Sequence, residues 1–398
     1  MKELLSDRHN NLSVSKTILM AQLSRELKAQ GKNIISLSLG EPDFHTPRHI
    51  MDAGIDAIND NFHSYPPVGG YLDLKEAICN KFKRDNNLSF EPKNILVSAG
   101  AKQSIANIML ALLNPGDEVL IPAPFWVSYP DIVKLADGIP KHIYAGIDQD
   151  FKITAQQLRD GITDKTKILL FSSPSNPTGS VYSRTELKEM VEVIKDFPNL
   201  MVISDEIYEY INFGGKHESI AQFVEIQDRV IIVNGVSKGF AMTGWRIGFI
   251  AAPQWLIKAC EKIQGQVTSG ACSIAQKAVV EAMNGDLAPT LMMRDSFQKR
   301  GRMVKELLDE IPGIISNEPQ GAFYIFPNVK HYVGMKNGNQ AIKNVDDLCM
   351  YLLEDAHIAL VGGTSFGNEN CLRISYAAAE EDLIEAMSRM KISLAKLN

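Results

Sequence analysis

Between about Asn94 and Ala252, short continuous apolar runs alternate with segments of helical period. The runs are Ile95-Leu96-Val97, Val119-Leu120-Ile121, Ile168-Leu169-Leu170-Phe171, Met201-Val202-Ile203 and Val230-Ile231-Ile232-Val233. None alternates apolar with polar, so each predicts a strand buried on both faces. Between them, Ala101 to Leu113 carries Ile105, Ile108, Met109 and Leu112 at i, i+3, i+4 and i+7, one stripe of an amphipathic helix. The alternation predicts an α/β fold, a mostly parallel sheet covered by helices on both sides. The last third changes character. Long helical patterns over Leu287 to Ile311 and Glu380 to Leu394 flank short strands at Gly321 to Phe326 and Cys371 to Ser375. With a further strand at Ile34 to Leu39, this predicts a large α/β domain over 50–290 and a smaller α+β domain built from 1–49 and 291–398.

Three polar residues stand at or just beyond the carboxyl ends of predicted strands: Asn176, Asp205 and Lys238. Open parallel sheets bind ligands there. A lysine, an acid and an amide converging at that rim are what a pyridine-aldehyde cofactor needs. The amine forms a Schiff base with the aldehyde, the acid stabilises the protonated ring nitrogen, and the amide bonds the ring hydroxyl. At about 3 Å and an effective dielectric of about 20, a carboxylate and a pyridinium attract by roughly 5 kcal/mol. Taken singly, Asp205 reads as a loop or capping acid and Lys238 as a solvated lysine.

Other positions fit the same ligand. Ser98-Ala99-Gly100-Ala101-Lys102 leads from a strand into the striped helix, where small residues let a phosphate approach the helix N-terminus. Ser237 and Arg246 offer a hydroxyl and a fork of donors. A plain strand-to-helix turn is the competing reading of that segment. Trp126, after Pro122-Ala123-Pro124-Phe125, can stack on a flat ring or serve as core. Arg373 lies between Leu372 and Ile374, and its fork matches an α-carboxylate; a surface arginine on an edge strand is an equal alternative. Neither G-x-x-x-x-G-K-[ST] nor G-x-G-x-x-G is present, which argues against nucleoside triphosphates and dinucleotides, and no G-x-S-x-G elbow occurs. Pro47 separates His45 from His49 and weakens a metal reading. Asn11-Leu12-Ser13 matches a glycosylation acceptor, but no export signal accompanies it.

The bulk numbers narrow the field. The chain has 398 residues, 45% of them hydrophobic, enough for a large core. Lys and Arg total 41 against 47 Asp and Glu, a formal charge of -6, which offers no footprint for nucleic acid or an anionic membrane. Five scattered cysteines suggest neither a disulfide framework nor a zinc site. The charged N-terminal residues lack an apolar signal core, and no stretch reaches the length of a membrane span. A cytoplasmic location is expected.

Four motifs carry a family resemblance: Ser-Leu-Gly40-Glu-Pro-Asp-Phe, Pro174-Ser-Asn176-Pro-Thr-Gly, Ser204-Asp205-Glu-Ile-Tyr208 and Ser237-Lys238-Gly-Phe-Ala-Met-Thr-Gly-Trp-Arg246. Together they resemble the signatures of class I aminotransferases, above all the prokaryotic-type aspartate aminotransferases. The resemblance runs from about Ser13 to the C-terminus. It implies pyridoxal 5'-phosphate as cofactor, the fold type I of enzymes that use it, and a homodimer with its active site at the interface. It makes Lys238 the Schiff-base lysine, Asp205 the partner of the ring nitrogen, Asn176 and Tyr208 the partners of the ring hydroxyl, and Trp126 the stacking aromatic. Gly100, Ala101, Ser237 and Arg246 would hold the phosphate, with Tyr65 reaching it from the neighbouring subunit. Gly40, Trp126, Asn176 and Arg373 would bind the substrate α-carboxylate. Lys102, Ser15 and Thr17 would meet the distal carboxylate of a dicarboxylic substrate, whereas the interface arginine of the eukaryotic-type branch has no counterpart. The implied reaction passes the amino group of L-aspartate to 2-oxoglutarate by ping-pong exchange. Transfer from aromatic amino acids or to prephenate is the alternative, and a C–S β-lyase a more distant one.

Overall fold

The computed structural model describes residues 4–398. Its centre is a seven-stranded sheet in the order Ile95–Ser98, Gly248–Ala251, Val230–Gly235, Met201–Asp205, Thr166–Ser172, Glu118–Ala123 and Ile139–Tyr144. Six strands run in one direction and Gly248–Ala251 runs against them. The continuous apolar runs are explained by the two cores they feed. Leu120, Leu169, Val202 and Ile232 enter the core on one face. Val119, Ile121, Ile168, Leu170, Ile203, Ile231 and Val233 enter the core on the other. Successive side chains point to opposite faces, so a strand covered on both sides must be apolar at every position.

Two strands escape the apolar-run pattern. Ile139–Tyr144 is an edge strand in which Ile139 and Tyr144 are exposed, and Pro140 is tolerated because an edge leaves backbone groups unpaired. Gly248–Ala251 carries only Phe249, Ile250 and Ala251 after its glycine, too short a pattern to stand out.

The remaining core collects Ile35 and Leu37 with residues of the last third, among them Phe297, Val304, Leu348, Leu352, Leu372 and Met387. The expected strand at Ile34 to Leu39 is shorter, Ile35–Ser36, and pairs in parallel with Ile358–Ala359. The one expected at Gly321 to Phe326 contracts to Tyr324–Ile325, because Ala322 takes a positive φ of 57° that a ladder cannot accept. Leu372–Ser375 is the middle of a three-stranded antiparallel sheet, between Val361–Gly362 and Tyr324–Ile325. Arg373 therefore occupies a central strand and is 2% exposed, which overturns the surface-arginine alternative.

Gly248 illustrates how tightly this sheet meets the following layer. A Cβ there would stand 2.9 Å from the Ala101 Cα and closer still to its backbone nitrogen, where neither neighbour is a side chain that can swing away. Gly248→Ala is expected to cost about 1–3 kcal/mol by overpacking the start of the Ala101–Leu112 helix, read as a lower urea midpoint with an unchanged slope.

Candidate active site

Five strand ends supply one rim. Met201–Asp205 finishes on Asp205 itself, paired in register with Ser172 and Val233 of the flanking strands. Beyond Ser172 the chain passes the cis Ser173–Pro174 bond and brings in Asn176. Beyond Gly235 it brings Ser237 and Lys238. Beyond Ala123 and the cis Ala123–Pro124 bond it brings Trp126. After Ser98, Gly100 takes a φ of 88° and turns the chain into the Ala101–Leu112 helix. These ends enclose a cavity of about 260 Å³ lined by Ala101, Trp126, Asn176, Asp205, Tyr208, Ser237, Lys238 and Arg246. Ser15, Thr17, Gly40, Lys102 and Arg373 join the same wall from outside the sheet. Two expected residues do not line it. Gly100 lies behind Arg246, whose guanidinium occupies the space a Cβ would take. Tyr65 is 95% exposed, away from the cavity of its own chain.

Burial shifts the charges that line the cavity. Lys238 donates to the Gly40 carbonyl at 2.6 Å, and burial, with Arg373 and Arg246 nearby, pushes its ammonium down to about 8 despite Glu41 and Asp205. Asp205 is 4% exposed, and burial pushes its carboxyl up to about 6. Donation from the Tyr129 hydroxyl at 2.7 Å and from the Ile207 N–H at 3.2 Å recovers only part of that shift. An acid whose proton affinity is set this way gains most from a cationic partner placed against it.

Arg373 is fully enclosed. It donates to Asn176 Oδ1 at 3.0 Å and to the Ser38 carbonyl at 2.5 Å, and its guanidinium carbon lies 4.7 Å from the Tyr324 ring centre and 4.9 Å from that of Phe366. Its Nε has no partner, and among the described residues no carboxylate lies within ion-pair distance. A buried cation without an anion is costly, so this fork is built to receive one. The Tyr208 and Tyr324 hydroxyls meet at 2.8 Å beside it. Gly40 is required where it stands, because a Cβ would collide with the Tyr324 hydroxyl.

A second group of residues on the cavity wall could hold an anion. The helix N-terminus at Ala101 presents unpaired backbone N–H groups, with Ser237 and Arg246 alongside. Arg246 takes a φ of 56° and donates to the Thr243 carbonyl at 2.9 Å and, more weakly, to the Ala99 carbonyl at 3.4 Å. Trp126 offers a ring face, with the Lys102 ammonium 4.9 Å from its centre. Thr17 Oγ1 is buried without a partner, a hydroxyl left for something else to satisfy.

Sequence reasoning missed two tyrosines. Tyr129 bonds Asp205 and edges the Trp126 ring, with centres 5.4 Å apart. Its one sequence signal is its position three residues after Trp126 in the same turn. Tyr324 touches the Tyr208 hydroxyl and Arg373 and crowds Gly40; its signal is its place in a strand next to that of Arg373.

A family model described as aminotransferase class I and II matches residues 32–390. The chain is 46% identical to a protein of Petunia hybrida named bifunctional aspartate aminotransferase and glutamate/aspartate-prephenate aminotransferase, over 98% of this chain and 82% of that one. The structure resembles an aspartate aminotransferase from Rhizobium meliloti, with a TM-score of 0.96, 40% identity and 99% of each chain covered. It also resembles the aspartate aminotransferase of Thermus thermophilus solved with maleate, with a TM-score of 0.91, 34% identity, and 98% of this chain and 99% of that one covered.

The Asp205 environment makes a stability prediction for the ligand-free protein. Its folded pKa of about 6 lies above the unfolded value of about 3.9, so its favourable contribution is complete below pH 4 and is lost as pH rises to 6. The loss is roughly 3 kcal/mol. Asp205→Asn, neutral throughout, is expected to gain about that much on the parent between pH 4 and pH 7 in urea unfolding. An equal difference at both pH values would show that the carboxyl is not strained.

Proposed function

The chain belongs to the aminotransferase class I and II family, and on that premise we propose that it transfers the amino group of L-aspartate to 2-oxoglutarate with pyridoxal 5'-phosphate, giving oxaloacetate and L-glutamate. The observation that carries this reading is the buried, anion-free Arg373 in one cavity with Lys238 and Asp205. The cofactor fits what is there: an acid for the ring nitrogen, an amine for the aldehyde, an indole for the ring face, and a helix N-terminus with Arg246 for the phosphate. When bound, it supplies an aldehyde that takes up the amino group and a ring that accepts the electron pair left by the Cα proton.

The residues of this chain do the rest. Arg373 and Asn176 orient the substrate α-carboxylate, and the fork fixes its plane as well as its position. Lys238 Nζ, its proton affinity lowered by burial, would remove the Cα proton and return it to the cofactor carbon that takes up the amino group. Asp205 keeps a proton on the ring nitrogen, and the Tyr129 hydroxyl holds that carboxylate in place. Lys102, Ser15 and Thr17 receive the distal carboxylate, a role supported by their place on the wall and by the unpartnered Thr17 hydroxyl. Transfer to prephenate is the second reading, favoured by the name of the Petunia relative.

The reading includes a cytoplasmic homodimer in which Tyr65 of each copy completes the other's phosphate site. Its support is a Tyr65 left 95% exposed on a single copy. The division into 50–290 and 1–49 with 291–398 belongs to it too, as the two parts between which the substrate is enclosed.

Two measurements test this. The cofactor-loaded protein should lose its visible absorption band on addition of L-aspartate alone and regain it with 2-oxoglutarate, and Lys238→Ala should lack that response and at least about 10³-fold in turnover. A band unmoved by aspartate shifts the donor to aromatic amino acids. Sedimentation should give a dimer, and Tyr65→Phe is expected to weaken cofactor retention by about 10- to 150-fold, the loss of one hydrogen bond to a charged group.

A further inference from the structure

We propose that Glu206 and His217 are positioning residues, a buried ion pair behind the sheet end that fixes the Asp205–Tyr208 turn and neutralises the charge next to Asp205. The inference rests on the cofactor reading above, since Asp205 matters there through the ring nitrogen.

Neighbouring residues at a strand end face opposite ways, so Asp205 lines the cavity while Glu206 points behind it, 0% exposed. Glu206 is tied through one carboxylate oxygen and both backbone groups. Its Oε1 accepts from Ser219 Oγ at 2.6 Å and Ser204 Oγ at 2.9 Å. Its N–H donates to the Val233 carbonyl at 2.8 Å, and its own carbonyl accepts from the Glu209 N–H at 2.9 Å, closing the turn that carries Tyr208. Its Oε2 lies 3.2 Å from His217 Nε2, an ion-pair distance, although the imidazole N–H is not aimed along that line.

Two further charges face this pair. Lys81 is ion-paired with Glu209, and Asn86 bridges them, accepting from Lys81 at 2.7 Å and donating to Glu209 at 3.1 Å. Ligand atoms of Glu206, Glu209 and His217 lie within 4.8 Å of one another, an arrangement of metal-binding type. The Lys81 ammonium already stands against Glu209 as the resident cation, so the cluster is an internal charge network. Burial opposes charge on His217, but Glu206 and Glu209 outweigh it and raise its proton affinity against the contrary pull of Lys81. Burial would likewise raise Glu206, and the His217 charge with the two serines holds it below the usual range. With His217 protonated, two cations balance two anions, and Asp205 has a neutral neighbour. Without His217, the Glu206 charge would act on Asp205 and on whatever pairs with it.

The test uses the full-length, cofactor-loaded protein and follows its visible band through a pH titration. His217→Gln is expected to raise the titration midpoint by roughly half to one pH unit, because an uncompensated carboxylate favours the protonated chromophore. The double variant E206Q/H217Q, which removes both charges, should return it to the wild-type midpoint. A purely structural role predicts no such return. An H217Q midpoint equal to wild type, or a double variant no closer to wild type than H217Q, overturns the proposal. If H217Q does not fold, Glu206→Gln retains acceptors for both serines and should release cofactor at least about 3-fold faster; unchanged release overturns it equally. A wild-type protein with no visible band would overturn the cofactor reading and this inference with it.

Discussion

Asp205 and Arg373 are buried and Lys238 is half-buried on the wall of one cavity, and the surrounding structure exists under that constraint. Each is displaced from its solution behaviour by burial: the acid upward, the amine and the guanidinium downward. Left to themselves they would draw in water or lose their charges. They are kept apart by backbone carbonyls at Gly40 and Ser38, by the Tyr129 hydroxyl and by the Asn176 amide, neutral groups that satisfy part of each charge and leave the remainder for a ligand.

Only a rigid support can maintain such an arrangement, and the sheet provides it. Strands buried on both faces have one register, since slipping by a residue would exchange the two cores. The register sets Ser172, Asp205 and Val233 side by side at one rim, and the turns beyond them inherit that alignment. Arg373 is supplied by a separate small sheet whose core includes Tyr208 and Ile211 from just past the same rim, so the two regions meet on the site itself.

The interior of the main sheet was legible because a doubly covered strand has no choice but to be apolar throughout. Ile139–Tyr144 was not, because an edge exposes one side and admits Pro140, Lys141 and His142. Asp205, Lys238 and Asn176 were legible as polar residues at or just beyond the ends of such runs. Arg373 was ambiguous because flanking residues reveal alternation but not which strands will cover both sides. Tyr129, Tyr324 and the Glu206–His217 pair were missed for a different reason: the groups they bond are distant in sequence or on a loop without periodic pattern, and closeness to Trp126 or to the Arg373 strand does not by itself mark the contact.

The pairing of Ile35–Ser36 with Ile358–Ala359 also sets a timetable for the chain's synthesis. The N-terminal strand emerges from the ribosome more than 300 residues before the strand it must join. At about 5–20 residues per second, that is roughly 16–65 s in which Ile35 and Leu37 have no core to enter, while the central sheet is being made. The N-terminal strand takes its place in the structure only after Ile358–Ala359 has been made.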